Sequence, residues 1–351
     1  MKRIIVFALV LAAACSDALE KTSSAGQVIG VVNALDRTLS LVNATDFTVT
    51  TRDWMRPAAT PSTIAGEGNV LVVPLGQADA VAVDRLPPPC PPGVLCQYPE
   101  HVWPLATGSG ATGVAIQDDS IAWIANPNLK SVTRLNYANG GTTSVAVGVY
   151  PQAVAIVRTR VFVVNGNLVG APTPTPAGPS WLTSFDCCGV RTPDSIPLTG
   201  TNARFAVVGD DSLLYVVTSG HAGASDGKLS IVDPVKRTEV AVLNGLGESP
   251  GAAAFHPTGG RVLIASLTEG ILEVNAATRS VTRGPGNGVK PGGHGVSGLA
   301  IDLRGRVYAI DPGACAAAGT VHVLTAPPDY SEMRTVTVGV CPTTAAVAAT
   351  Q

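Results

Sequence analysis

Short apolar runs bounded by Gly, Pro, Asp or Asn recur along the chain, and none carries the 3.6-residue period of an amphipathic helix. In the clearest copy, Ala111-Thr112-Gly113-Val114-Ala115-Ile116 leads through Asp118-Asp119 to Ile121-Ala122-Trp123-Ile124-Ala125-Asn126. The next copy begins at Pro151 and reaches Val161-Phe162-Val163-Val164-Asn165. Each reads as an inner strand, a turn and a second strand. A third strand follows in segments such as Thr38 to Val42, Ala80 to Asp84, Leu229 to Asp233, Ile271 to Asn275 and Thr320 to Leu324. Several of these alternate polar with apolar residues, which predicts packing on one face only. Fourth strands are expected at Thr143 to Val147, Thr238 to Val242 and Thr335 to Val338.

The central residue of each inner strand gives a set of markers: Ile64, Val114, Val154, Phe205, Ala253, Leu299 and Ala345, spaced by 50, 40, 51, 48, 46 and 46 residues. A strand-only repeat of this period predicts blades of four antiparallel strands. The ends fix the count. One period before Ile64 there is no inner strand, and blade 1 starts with its second strand, Val28 to Asn33. Pro342 to Thr350 is an inner strand with no second strand after it. Pairing the two closes a ring and leaves no open edge. The expected fold is therefore all-β, a seven-bladed β-propeller closed by the C-terminal strand on the N-terminal blade.

The Pro-led inner strand at Pro151, the aromatic-Val-x-Asn second strand Phe162-Val163-Val164-Asn165 and the Val-Asp third-strand endings Val83-Asp84 and Val232-Asp233 resemble the YVTN and NHL group of β-propellers. The resemblance covers residues 27 to 351. Copies 2 and 4 depart from it, with Pro74 and with a long loop after the second strand. What it implies about function is broad, since such propellers include lactonases, lyases, dehydrogenases and pure binding proteins.

Composition places the chain in a compartment. Lys2 and Arg3 precede an uncharged run from Ile4 to Ala14, the pattern of a secretory signal and too short to span a bilayer. The run ends at Leu11-Ala12-Ala13-Ala14-Cys15, which resembles a bacterial lipobox, with Ala12 where that family usually has Leu. The expected organisation is a signal peptide at 1–14, a linker lipidated on Cys15 at 15–26 and a propeller at 27–351, in an outer-membrane lipoprotein facing the periplasm or cell surface. Without Lys2 and Arg3 the balance is 21 basic against 25 acidic residues, spread along the chain. That excludes a nucleic-acid surface, and contact with the membrane is expected through the lipid anchor only.

In a propeller, connections from second to third strand and from a fourth strand to the next blade share one face, here called the top. Long top connections are expected at Gly166 to Ser180, Thr218 to Gly227, Gly284 to Val296 and Asp311 to Gly319, all around blades 4 to 7. This face is the expected surface for a protein or glycan partner. Six cysteines besides Cys15 suit disulfides in an oxidising compartment. Cys315 and Cys341 fall on the top of neighbouring blades and are expected to pair. Cys90 and Cys96 could close a ring in a bottom loop of blade 2. Cys187 and Cys188 would then form a vicinal pair, which resembles the ring under the cofactor in some quinone-dependent propeller dehydrogenases.

Candidate chemistry is sparse. None of the five histidines has metal-ligand spacing to another or to a cysteine. His256, in a first turn, reads as structural, and His322, in a third strand, as packing or surface. His221, with Asp226 nearby, and His294 fall in Gly-rich top loops, and Arg204 is the one charged residue beside the markers. Arg204, His221, Asp226 and His294 are the binding candidates. No phosphate loop, nucleophile elbow or Cys-x-x-Cys pattern occurs, and no cofactor is expected. The leading expectation is a non-enzymatic binding or scaffolding protein. The alternative is an envelope enzyme (lactonase, lyase or oxidoreductase) in which His221, His294 and Arg204 converge on one pocket.

Overall fold

The second strands of the repeat are almost wholly apolar, as in Val70–Pro74, Ile121–Asn126, Arg160–Asn165, Leu214–Thr218 and Val307–Asp311, and they are buried on both faces. Continuous rather than alternating hydrophobicity is what a sheet covered on both sides requires. The coordinates, a computed structural model, describe residues 26–53, 57–86, 100–189 and 192–349. They form seven four-stranded antiparallel sheets in a ring, with two short 3-10 turns as the helical content. Residues 1–14, expected as a signal peptide, Cys15, and Cys90 and Cys96 lie outside the described residues. Among those described, no helix is long and apolar enough to cross a membrane.

Blade 1 consists of Gln27–Asn33, Thr38–Asn43 and Val49–Arg52, with Pro342–Ala349 as its innermost strand. The seam is antiparallel, from Gln27 opposite Ala349 to Asn33 opposite Pro342, so the chain closes as the orphan strand predicts. The remaining inner strands are Ala65–Glu67, Val114–Ile116, Pro151–Val157, Ala203–Val208, Ala253–His256 and Gly298–Ile301. All seven marker residues line one axial cavity.

There is no single core. Seven apolar clusters each join two neighbouring blades: Val31 and Val42 with Tyr308 and Val323 across the blade 7 to blade 1 boundary, Leu39 with Leu71 across the next, and so on around the ring. Burying apolar surface on both sides of every sheet is the main source of stability in such a wedge.

The third strands differ from the sequence expectation. Their polar positions do not face water: Ser40, Thr133 and Glu273 are all buried. The reason is a recurring clasp. The Asn that ends a second strand donates from Nδ2 to hydroxyls of the adjacent third strand. Asn33 reaches Thr38 and Ser40 at 2.9 Å each, Asn126 reaches Ser131 at 3.2 Å and Thr133 at 2.9 Å, and Asn165 reaches Thr183 at 2.9 Å. Buried polar groups persist where they are hydrogen-bonded in this way. In blade 6 the buried Glu273 is held instead by Arg261, by Tyr330 and by Thr282 at 2.6 Å.

The long connection of blade 4, absent from the repeat pattern, folds into a two-stranded ribbon, Leu168–Val169 against Thr175–Pro176, before the third strand Pro179–Asp186. It rises on the top face, as do residues 219–227, 284–297 and 312–317. His256 is fully buried at the bottom, its Nε2 donating to the Gly305 carbonyl at 2.9 Å and tying blade 6 to blade 7.

Candidate functional site

Blade 7 repeats the clasp with different chemistry. Asp311 ends its second strand where blades 1, 3 and 4 place Asn. It pairs with Thr320, and two residues further on stands His322, in the position that Ser40, Thr133 and Thr183 hold in the other copies. A neutral amide and hydroxyl pair is thus replaced by a carboxylate and an imidazole. A third group arrives from the link between blades 6 and 7. Pro291–Gly293 forms a 3-10 turn, and His294 follows with its N–H on the Pro291 carbonyl at 3.1 Å. Gly295 then passes so close to blade 6 that a Cβ would lie 1.9 Å from the Leu267 carbonyl oxygen, so only glycine lets the link lie down there.

The result is a chain of four titratable groups. His294 Nδ1 is 2.7 Å from Asp311 Oδ2. His322 Nε2 lies 3.7 Å from the same carboxylate oxygen, while its Nδ1 is 3.2 Å from Glu332 Oε2. The Gly313 N–H donates to the other Asp311 oxygen at 2.8 Å. Burial pushes the Asp311 carboxyl up. The Gly313 and His294 hydrogen bonds and the charges of His294 and His322 outweigh it, and the net position is below the usual carboxylate range. Glu332 is likewise held low, chiefly by the Thr335 hydroxyl. The His322 side chain is 7% exposed and that of His294 66%, so of the two histidines His294 is the one that meets solvent. It lines a cavity of about 450 Å³ with Leu267, Gly295 and Asp311–Ala314. With Nδ1 on the carboxylate, Nε2 is the nitrogen left to meet a ligand.

The same corner carries the Cys315–Cys341 disulfide, Cα atoms 4.4 Å apart, linking the blade 7 loop to the residue before the closing strand. The signal that singles out His322 is the alignment of the copies on Asn33, Asn126 and Asp311, which requires the strand register. Its own neighbourhood in the sequence resembles an ordinary strand.

The other candidates lie elsewhere. His221 and Asp226 clasp their own loop, with Nδ1 to Oδ2 at 2.7 Å and the His221 N–H on Oδ1 at 2.9 Å. Arg204 stands in the axial channel, and a cavity of about 240 Å³ above it is lined by Ser62, Ser249, Leu267 and Ser297 among others. His221, His294 and Arg204 therefore do not converge on one pocket, and the polar cluster expected of an enzyme is not assembled from them.

Cys187 and Cys188 are both free thiols, against the expected vicinal disulfide. Neighbouring Cα atoms stand about 3.8 Å apart, short of the roughly 4.4–6.8 Å that a disulfide spans without distorting the chain. With Asp186 they form the one group, among the described residues, whose three metal-ligating atoms lie within 4.8 Å. Burial, with Cys188 adding to it, pushes the Cys187 thiol up to about 11, which keeps it protonated at neutral pH.

The fold defines the class: an all-β, seven-bladed propeller with four-stranded antiparallel blades. No family model and no curated protein sequence matches the chain. Among solved structures it is similar to hydrazine synthase of Kuenenia stuttgartiensis, with 12% identity, a TM-score of 0.65 and 84% of this chain covering 91% of that one. It is also similar to AztD of Citrobacter koseri (12%, 0.60, 93% and 99%) and to a streptogramin B lyase (10%, 0.62, 81% and 94%). At such identities the likeness shows the fold alone.

Proposed function

We propose that this chain is a non-enzymatic binding or scaffolding lipoprotein of the bacterial cell envelope, of the YVTN and NHL kind, anchored through Cys15 and engaging a protein or glycan partner with its top face. The observation that carries the reading is the placement of the long connections. The ribbon of blade 4, the His221 loop, the His294 link and the Cys315 loop rise on one face, and the His294 link lines two cavities there that share Leu267. Binding surfaces on repeat scaffolds are built in this way, from variable loops on a rigid frame. The test is affinity capture from detergent-solubilised envelopes, with residues 167–178 replaced by a two-residue turn. We expect the variant to fold and to lose the partner that the parent retains. Undiminished capture would sink the assignment of this face.

A second reading is supported by one observation. A histidine whose Nδ1 is fixed by a carboxylate, at the edge of a cavity, is the arrangement of a general base. In that reading the protein is an envelope enzyme, and His294→Ala abolishes turnover while leaving partner capture intact.

A further inference from the structure

Among the described residues Arg204 is a cation without a counter-ion. It lies in the inner strand Ala203–Val208 and lines both the axial channel, of about 130 Å³, and the vestibule of about 240 Å³ that opens from it to the top face. Among the described residues no Asp, Glu, Lys or His lines either cavity. Among the described residues no carboxylate forms an ion pair with it, and its one close aromatic partner is Phe205, with the guanidinium carbon 5.4 Å from the ring centre. Water reaches the side chain, yet the channel walls withdraw bulk solvent and pull the guanidinium below the usual arginine range, with Tyr150 opposing. A charge held in a partly desolvated site gains from any anion that enters.

The rest of the lining narrows the class of anion. One positive charge balances one negative charge, and a phosphate dianion would leave an excess with no second cation among the described lining residues to meet it. The planar guanidinium presents a fork that matches a carboxylate edge. Around it stand hydroxyls, Ser62 and Ser249, and an apolar wall of Phe205, Val296 and Leu267. The volume admits a small organic acid rather than a drug-sized ligand.

We propose that the top end of the channel is a receptor for a small amphiphilic monocarboxylic acid, its carboxylate on the Arg204 guanidinium and its apolar part against Phe205, Val296 and Leu267. The inference rests on the reading of the top face as the binding face, and supplies that face with a ligand class.

The test is calorimetric titration of the purified full chain with benzoate, and with benzyl alcohol and inorganic phosphate as comparators. Benzoate is expected to bind saturably at one site per chain. Arg204→Gln is expected to weaken it at least about tenfold, Arg204→Lys by less, because the charge remains while the fork is lost, and Arg158→Gln on the bottom face not at all. A matched unfolding midpoint for Arg204→Gln confirms that the fold is kept. Absence of saturable benzoate binding, benzoate binding unchanged in Arg204→Gln, equal affinity for benzyl alcohol, or tighter binding of phosphate would each overturn the proposal. The residue 167–178 variant separates the two readings: benzoate binding with no loss of partner capture refutes the partner face alone, and partner capture lost with no benzoate binding refutes the carboxylate site alone.

Discussion

Asp311 shows how much one atom can change. In blades 1, 3 and 4 the equivalent Asn33, Asn126 and Asn165 are neutral fasteners between strands. Replacing the amide with a carboxylate recruits His294 and His322, so a structural position becomes an acid–base cluster. Because the folded protein holds the Asp311 carboxyl below its ordinary value, the charged form contributes stability that is complete above the unfolded value of about 4 and is lost as pH falls through the lower folded value. Asp311→Asn, which restores the clasp of the other blades, should therefore flatten the acid side of the stability curve. We expect the gap between the parent's and the variant's thermal midpoints at neutral pH to shrink below about pH 4; a gap independent of pH would refute the assignment. His294 was visible in the sequence as a histidine in a Gly-rich loop. His322 was not, because what makes it special is its register against Asp311, and register belongs to the paired strands rather than to either segment alone.

At the scale of elements, the strand pattern carried most of the architecture. The inner strands were legible because they begin at turns and repeat at a near-constant interval, and the orphan at Pro342 revealed the seam. Burial of the third strands was misread, since alternation predicts one wet face, whereas here the polar side chains of Ser40 and Thr133 are consumed by the clasp. The ribbon Leu168–Val169 with Thr175–Pro176 was also hidden, because two-residue strands leave no period to detect. The disulfide was legible because the connection order fixes which face each loop occupies. With Cys315 and Cys341 separated by 26 positions, loss of the bond in Cys341→Ser should cost roughly 3 kcal/mol, read as a lower midpoint in denaturant under non-reducing conditions. Removing 342–351 should do more. It bares the backbone of Gln27–Asn33 along a full strand edge, and we expect self-association visible by light scattering; a monomeric truncated protein would argue against the seam.

For the whole molecule, stability is distributed around a circle. Seven wedges, each shared by two blades, mean that no blade has a core of its own. An open array can fray from its ends; a closed one has none to fray from. Equilibrium unfolding followed by tryptophan fluorescence and by far-ultraviolet circular dichroism should therefore give coincident transitions, and separated midpoints would show that blades melt independently. The choice of partner face also belongs to this scale: the sequence placed the loops, but only the assembled ring shows that the vestibule above Arg204 and the cavity beside His294 share Leu267.

The seam also imposes an order in time. Blades 2 to 7 are each built from one continuous stretch, and each shared core can close once the two blades that line it are made, whereas blade 1 waits for a strand made after the seventh. Until Pro342–Ala349 arrives, the earliest strands lack their partner and the two thiols at 315 and 341 cannot meet in their native geometry. A ring timed in this way stays open until its last strand is made.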